Sequence, residues 1–319
     1  MIFEKKIVEI YKQTAFCRCD NDGLAYYFTE VDFEGLNKVP YQFKSTLGHT
    51  LQGFFYYYDN YKDNKLIIFD HGFGPGHTAY MKEIEKLCKE GYKVFAYDHT
   101  GCMLSEGVNI NGMAQSLHDL DDCVNEIKNN PEFSNLELYV MGHSWGGFST
   151  LNIASLHKEV KKIVVLAGFV SVKDLIDSNF TGLLKGYRKA ILEVETKANP
   201  NYVNFDGVET LKNSDVLALL IYSDNDHLCK RPHVDKLIKN LSECENVKIL
   251  LEHNKWHNPN YTIEAVNYLN EYVNKKNKIL KNKELTEIEK TKFVESFDFN
   301  KMTEQDEVIW HMIFEHLER

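Results

Sequence analysis

The chain has 319 residues, of which 43% are hydrophobic and 13% aromatic, and its formal net charge is −10. That apolar content is enough for a sizeable core and excludes a disordered chain. The negative balance gives no electrostatic reason to bind nucleic acid or an anionic membrane surface, so neither is an expected partner.

From the N-terminus, residues 1–10 alternate charged and apolar side chains and contain no signal-peptide core. No stretch approaches the ~18 uninterrupted apolar residues of a membrane span. Seven cysteines at scattered positions fit reduced thiols, and Cys17 and Cys19 form a C-x-C pair with no second pair near by, so no zinc site is expected there. A cytoplasmic protein is the expectation.

Apolar runs then alternate with amphipathic stretches. Leu51–Tyr58 and Lys65–Phe69 read as buried strands and are followed by His71-Gly72-Phe73-Gly74. Ala79–Lys89 has helical spacing and a stop at Gly91; Lys93–Tyr97 is a strand; Met113–Lys128 is a second helix closed by Pro131. Leu136–Met141 is a strand that leads into the helix Gly146–His157, and Lys162–Ala167 follows as another strand. Residues 169–212 are longer than an ordinary connection and aromatic enough to form a helical insert, or cap, over the sheet's edge. Strand Val216–Tyr222, helix Pro232–Leu241, strand Val247–Leu251 and helix Tyr261–Val273 complete the core. Residues 274–319 are a charged tail of surface helices, with a Lys-rich stretch from Lys275 to Lys283 and an amphipathic pattern from Asp306 to Leu317. This alternation predicts one α/β domain over 1–319, with a mostly parallel sheet flanked by helices.

The strongest chemical signal is Gly142-His143-Ser144-Trp145-Gly146-Gly147, a G-x-S-x-G between a strand and a helix. The turn is so tight that side chains at the glycines would clash, and it leaves the serine hydroxyl exposed. The helix that follows presents its N-terminal amides, so Trp145 N–H is a natural donor to a developing oxyanion.

With these residues in place, the chain resembles the α/β-hydrolase superfamily, within it the serine aminopeptidase-like and small-esterase group, over roughly 41–273. The resemblance implies that His71-Gly72-Phe73-Gly74 is the oxyanion loop, with Phe73 supplying the second backbone N–H. Asp98 to Gly107 is similar to the family's D-x-R-G-x-G-x-S-x-G, with Thr100 for Arg and Met103 for Gly. In the family this is a structural turn, so Asp98 and Ser105 receive no catalytic role. Ser223-Asp224-Asn225-Asp226 resembles the acid loop and implies Asp226 as the acid, with Asp224 as competitor. His257 matches the family's G-x-G-H-x-P, here without the glycines. His253 and His257 also make an H-x-x-x-H spacing, but no Glu follows the first histidine and Pro259 opposes a helix, so no metal is expected. His71, His77 and His143 lie near these loops and receive no chemistry.

The implied activity is a serine hydrolase with Ser144 as nucleophile, His257 as base and Asp226 as supporting acid. It needs no cofactor and acts on a small-molecule ester. Peptide or amide hydrolysis is the alternative, for which Glu193 or Glu195 would hold a substrate amine. Acyl transfer and a non-catalytic binding protein stand behind it. Serine in the elbow excludes the usual aspartate-dependent dehalogenase.

Overall fold

The computed structural model describes residues 2–62, 64–281 and 285–319, so Lys283 at the end of the Lys-rich stretch lies outside the described residues. Eight strands form one sheet: β1 (Asn37–Lys44), β2 (Thr50–Tyr57), β3 (Lys65–Asp70), β4 (Lys93–Tyr97), β5 (Glu137–His143), β6 (Val160–Leu166), β7 (Leu217–Ser223) and β8 (Val247–Glu252). Their order is β1-β2-β4-β3-β5-β6-β7-β8, and β3 to β8 are mutually parallel.

β2 is antiparallel to both β1 and β4, so the sheet is mostly parallel, as expected, with an antiparallel edge. A buried apolar run reports coverage on both faces, not strand direction. β1 went unread because Asn37–Lys44 is half-exposed and holds Pro40, which fits an edge strand.

The helices are α1 (Ile2–Ala15), α2 (Met81–Lys89), α3 (Gln115–Asn129), α4 (Ser144–Asn152), α5 (Val172–Asn179) and α6 (Arg188–Ala198). They continue as α7 (Gly207–Lys212), α8 (Arg231–Leu241), α9 (Ile263–Ile279), α10 (Glu287–Glu295), α11 (Phe299–Met302) and α12 (Glu307–Glu318). None of the described helices is long and apolar enough to cross a membrane.

Alternation along the strands sorts side chains into two core layers. In β3, Leu66 and Ile68 join the layer holding α3, α4 and the insert. Ile67 and Phe69 join the opposite layer, with α2 and α12. The 306–317 pattern is indeed a helix, but more than a surface one: Ile309, Trp310, Ile313 and Leu317 are all buried in that second layer.

Within 169–212, α5, a 3-10 turn at Gly182–Tyr187, α6 and α7 form the helical insert. The N-terminal helix α1, not anticipated from its mixed composition, packs on it. Tyr11 Oη–H donates to Glu195 Oε1, and Met113 N–H donates to Glu195 Oε2 at 2.8 Å. Burial pushes the Glu195 carboxyl up to about 7, against these bonds, which favour its anion. The folded state therefore holds a proton that the unfolded chain has released between about pH 4.5 and 7, so this site's contribution is present below 4.5 and lost as pH rises through 7. The loss of stability from pH 5 to pH 8 should be smaller in Glu195→Gln than in wild type, by on the order of 3 kcal/mol at most. Urea unfolding at both pH values measures this, and equal losses in the two proteins would rule it out.

Candidate active site

Ser144 sits where β5 passes into α4, with φ of 56°, in the left-handed region that a non-glycine residue rarely occupies. The turn is closed by its glycines. A Cβ on Gly146 would stand 2.1 Å from the Asp70 carbonyl oxygen, and one on Gly142 would stand 2.4 Å from the Gly146 carbonyl oxygen. Backbone this close leaves room for hydrogen only.

His257 Nε2 lies 2.7 Å from Ser144 Oγ, and His257 Nδ1 lies 2.7 Å from Asp226 Oδ2. The carboxylate can only accept, so Nδ1 carries the proton and Nε2 is left to accept from the serine hydroxyl. Asp226 Oδ1 accepts from the Leu228 and Cys229 amides at 2.7 and 3.0 Å. Burial alone would raise the Asp226 carboxyl, but His257 and these two amides outweigh it and hold it below its ordinary range.

The competing acid points elsewhere. Asp224 Oδ2 accepts from His253 Nδ1 at 2.6 Å, and its Oδ1 from Asn254 N–H at 3.1 Å. His253 is thus engaged on the surface and does not join His257 in a histidine pair. The donor atoms of Asp226, Cys229 and His257 do lie within 4.8 Å of one another. Both Asp226 oxygens already accept hydrogen bonds, one from His257 and the other from the Leu228 and Cys229 amides.

Phe73 follows β3 with 42% of its surface exposed, its ring 6.0 Å from that of the buried Trp145. Trp145 N–H belongs to the first turn of α4, where no intrahelical acceptor exists. The Trp145 indole is fixed by a 2.7 Å bond to the Met113 carbonyl and by the His99 ring 4.8 Å away. His99 is fully buried between Asp70 and Asp119, at 3.0 and 3.3 Å. Burial opposes its charge, yet the two carboxylates prevail and lift the imidazole to about 10.

Two residues passed over at the sequence level tie the loops together. Gly72 N–H donates to Tyr80 Oη at 3.1 Å, Tyr80 lies 2.8 Å from His143 Nδ1, and His143 Nε2 lies 2.7 Å from the His257 carbonyl oxygen. That carbonyl can only accept, so the proton is on Nε2, and Nδ1 takes the Tyr80 hydroxyl. Burial, with His257 beside it, drives His143 down to about 3, so it stays neutral. The bonds thus run from the Phe73 loop to the His257 loop. His143 fills the first variable position of G-x-S-x-G, which was a signal of sorts; nothing local marks Tyr80.

Asp98 and Ser105 are tied up within their own loop and with His77. Asp98 Oδ1 accepts from His77 N–H and Nδ1 at 3.0 and 2.7 Å, and Ser105 Oγ–H donates to the Asp98 carbonyl.

Residues 61–206 match the family described as serine aminopeptidase, S33. The chain is 30% identical over 110 residues to AB hydrolase superfamily protein YfhM of Bacillus subtilis (strain 168), a match covering 33% of this chain and 36% of YfhM. It therefore spans little more than a third of that relative's length. In three dimensions it is similar to the esterase Pf2001 of Pyrococcus furiosus, with a TM-score of 0.59 and 20% identity over 83% of this chain and 98% of the other. It is also similar to the acylaminoacyl peptidase of Pyrococcus horikoshii, with a TM-score of 0.53 and 18% identity over 69% and 37% of the two chains. At these identities the structural likeness speaks for the fold alone. The chain has the α/β-hydrolase fold, and the part of it that resembles the serine aminopeptidase family, residues 61–206, is a little under half of its length.

Proposed function

We propose that the protein is a serine hydrolase that cleaves a carboxylic ester of an acyl-chain substrate through an acyl-enzyme. The observation that carries this is the run of two 2.7 Å contacts from Ser144 through His257 to Asp226, with the serine held at the elbow. His257 Nε2 takes the hydroxyl proton as Ser144 Oγ attacks the carbonyl carbon. Asp226 keeps the imidazole in the right tautomer and stabilises its positive charge. The amides of Phe73 and Trp145 receive the oxyanion; removing such a donor costs about 2.7–4 kcal/mol in a well-studied protease. His257 then protonates the leaving alcohol, and water, deprotonated by the same imidazole, releases the acid.

The ester reading is favoured over an aminopeptidase by the fate of the two glutamates. Glu195 is buried with both oxygens occupied, and Glu193 is exposed on α6, so neither is a ready partner for a substrate amine. An apolar cavity of about 400 Å³ between α1 and the insert, lined by Ile7, Ile10, Met113, Ile176, Phe180 and Leu184, suits a hydrocarbon chain. Met113 connects it to the Trp145 indole.

A panel of p-nitrophenyl esters from acetate to decanoate, set against aminoacyl p-nitroanilides, tests this reading. The expected outcome is higher kcat/KM for the esters, with an optimum beyond acetate. Preference for anilides bearing a free amine would instead support the peptidase reading.

A further inference from the structure

The loop that carries His257 is strained. Asn254 and Trp256 have φ of 59° and 48°, where the resembling family has glycines. Asparagine tolerates this region; tryptophan does so only when its surroundings hold it there. Three side-chain acceptors fix the loop from the acid side: Asp224 on Asn254 N–H, Ser223 Oγ on Lys255 N–H at 3.0 Å, and Asn225 Oδ1 on Trp256 N–H at 2.9 Å.

The opposite side is held by the C-terminal tail. Lys255, between the two left-handed residues, is only 4% exposed. Its ammonium donates to the Tyr261 carbonyl and to Asp306 Oδ2, the latter at 2.5 Å. Asp306 also caps α12 through Oδ1 to Val308 N–H at 2.9 Å. Its strand-like approach is fixed by Asp306 N–H to the Asn260 carbonyl at 2.8 Å and Thr262 N–H to the Glu304 carbonyl at 3.0 Å. A buried ammonium without its carboxylate is costly, so losing Asp306 drives this loop to shift, while losing Lys255 removes its tie to the tail.

We infer that Lys255 and Asp306 are positioning residues for His257, the tail clamping a glycine-free histidine loop in the geometry that glycines would otherwise permit. This rests on the serine-hydrolase reading above. It gives the tail a part in catalysis although none of its described residues is hydrogen-bonded to Ser144, His257 or Asp226.

The test uses the full chain with Asp306→Ser, which keeps a helix cap but removes the carboxylate, and Lys255→Met, which keeps the aliphatic stem. Both are compared with wild type and Ser144→Ala, well below melting, for p-nitrophenyl ester kinetics and the rate of labelling by a fluorophosphonate. The expected result is that kcat and the labelling rate fall together by tenfold to a hundredfold, on the order expected for a reacting group displaced by about 1 Å. KM should stay within about threefold and the circular dichroism unchanged. If Lys255→Met does not fold, Asp306→Ser alone decides. A lower melting temperature with kcat and labelling rate within about twofold of wild type overturns the inference and leaves the pair a stabiliser of the tail. A wild type that never labels at Ser144 overturns the hydrolase reading, and this inference with it.

Discussion

Ser144→Ala should lose turnover by a factor on the order of 10⁶ while keeping its fold, the scale seen when a hydrolase nucleophile is removed. The expected retention of fold follows from the site. Ser144 Oγ makes its contact to His257 alone among the described residues, and the elbow's closure depends on Gly142 and Gly146. Alanine keeps the backbone strained but asks for no more room. Intact mass after fluorophosphonate treatment measures the same point directly: one adduct on wild type and none on Ser144→Ala. An adduct that persists in the variant would put the activated nucleophile elsewhere.

The second large effect separates two neighbouring carboxylates. Asp226→Asn presents either an amide N–H or a carbonyl oxygen to His257 Nδ1. The imidazole is then free to turn its proton toward Ser144, the wrong tautomer for a base, and kcat should fall on the order of 10⁴. Asp224→Asn keeps an oxygen to accept from Asn254 N–H and loses the charge and the acceptor facing the exposed His253, so kcat should stay within about a factor of a few. Steady-state kinetics on both variants decide it. A larger loss from Asp224→Asn would reverse the assignment.

Much of this site could be read before any coordinates because its demands are local. The elbow must have glycines on either side of Ser144, and those glycines stand in the sequence next to a strand and a helix. Asp226 and Asp224 both follow β7, and only the direction of each side chain separates them. The histidine loop was legible at His257 but not in its backbone, because Asn254 and Trp256 adopt left-handed conformations without the glycines that announce them. Tyr80 left no trace at all, since its partners, Gly72 and His143, come from two other segments of the chain. The fold followed the same rule. β3 to β8 are apolar and self-declaring, whereas β1 is half-exposed and α1 shows its meaning only through the insert it touches.

The bonds from Gly72 through Tyr80 and His143 to the His257 carbonyl carry a further consequence for local opening. The loop that holds Phe73 and the loop that holds His257 are separate in sequence, and each could fray alone if held only by its own strand. Joined by a half-buried tyrosine and a buried, neutral histidine, they share one opening free energy, because neither can leave without stranding a polar group on the other. States with one loop in place and the other open are thereby depopulated; on the function proposed above, fluctuations switch the whole site off rather than degrade it by parts.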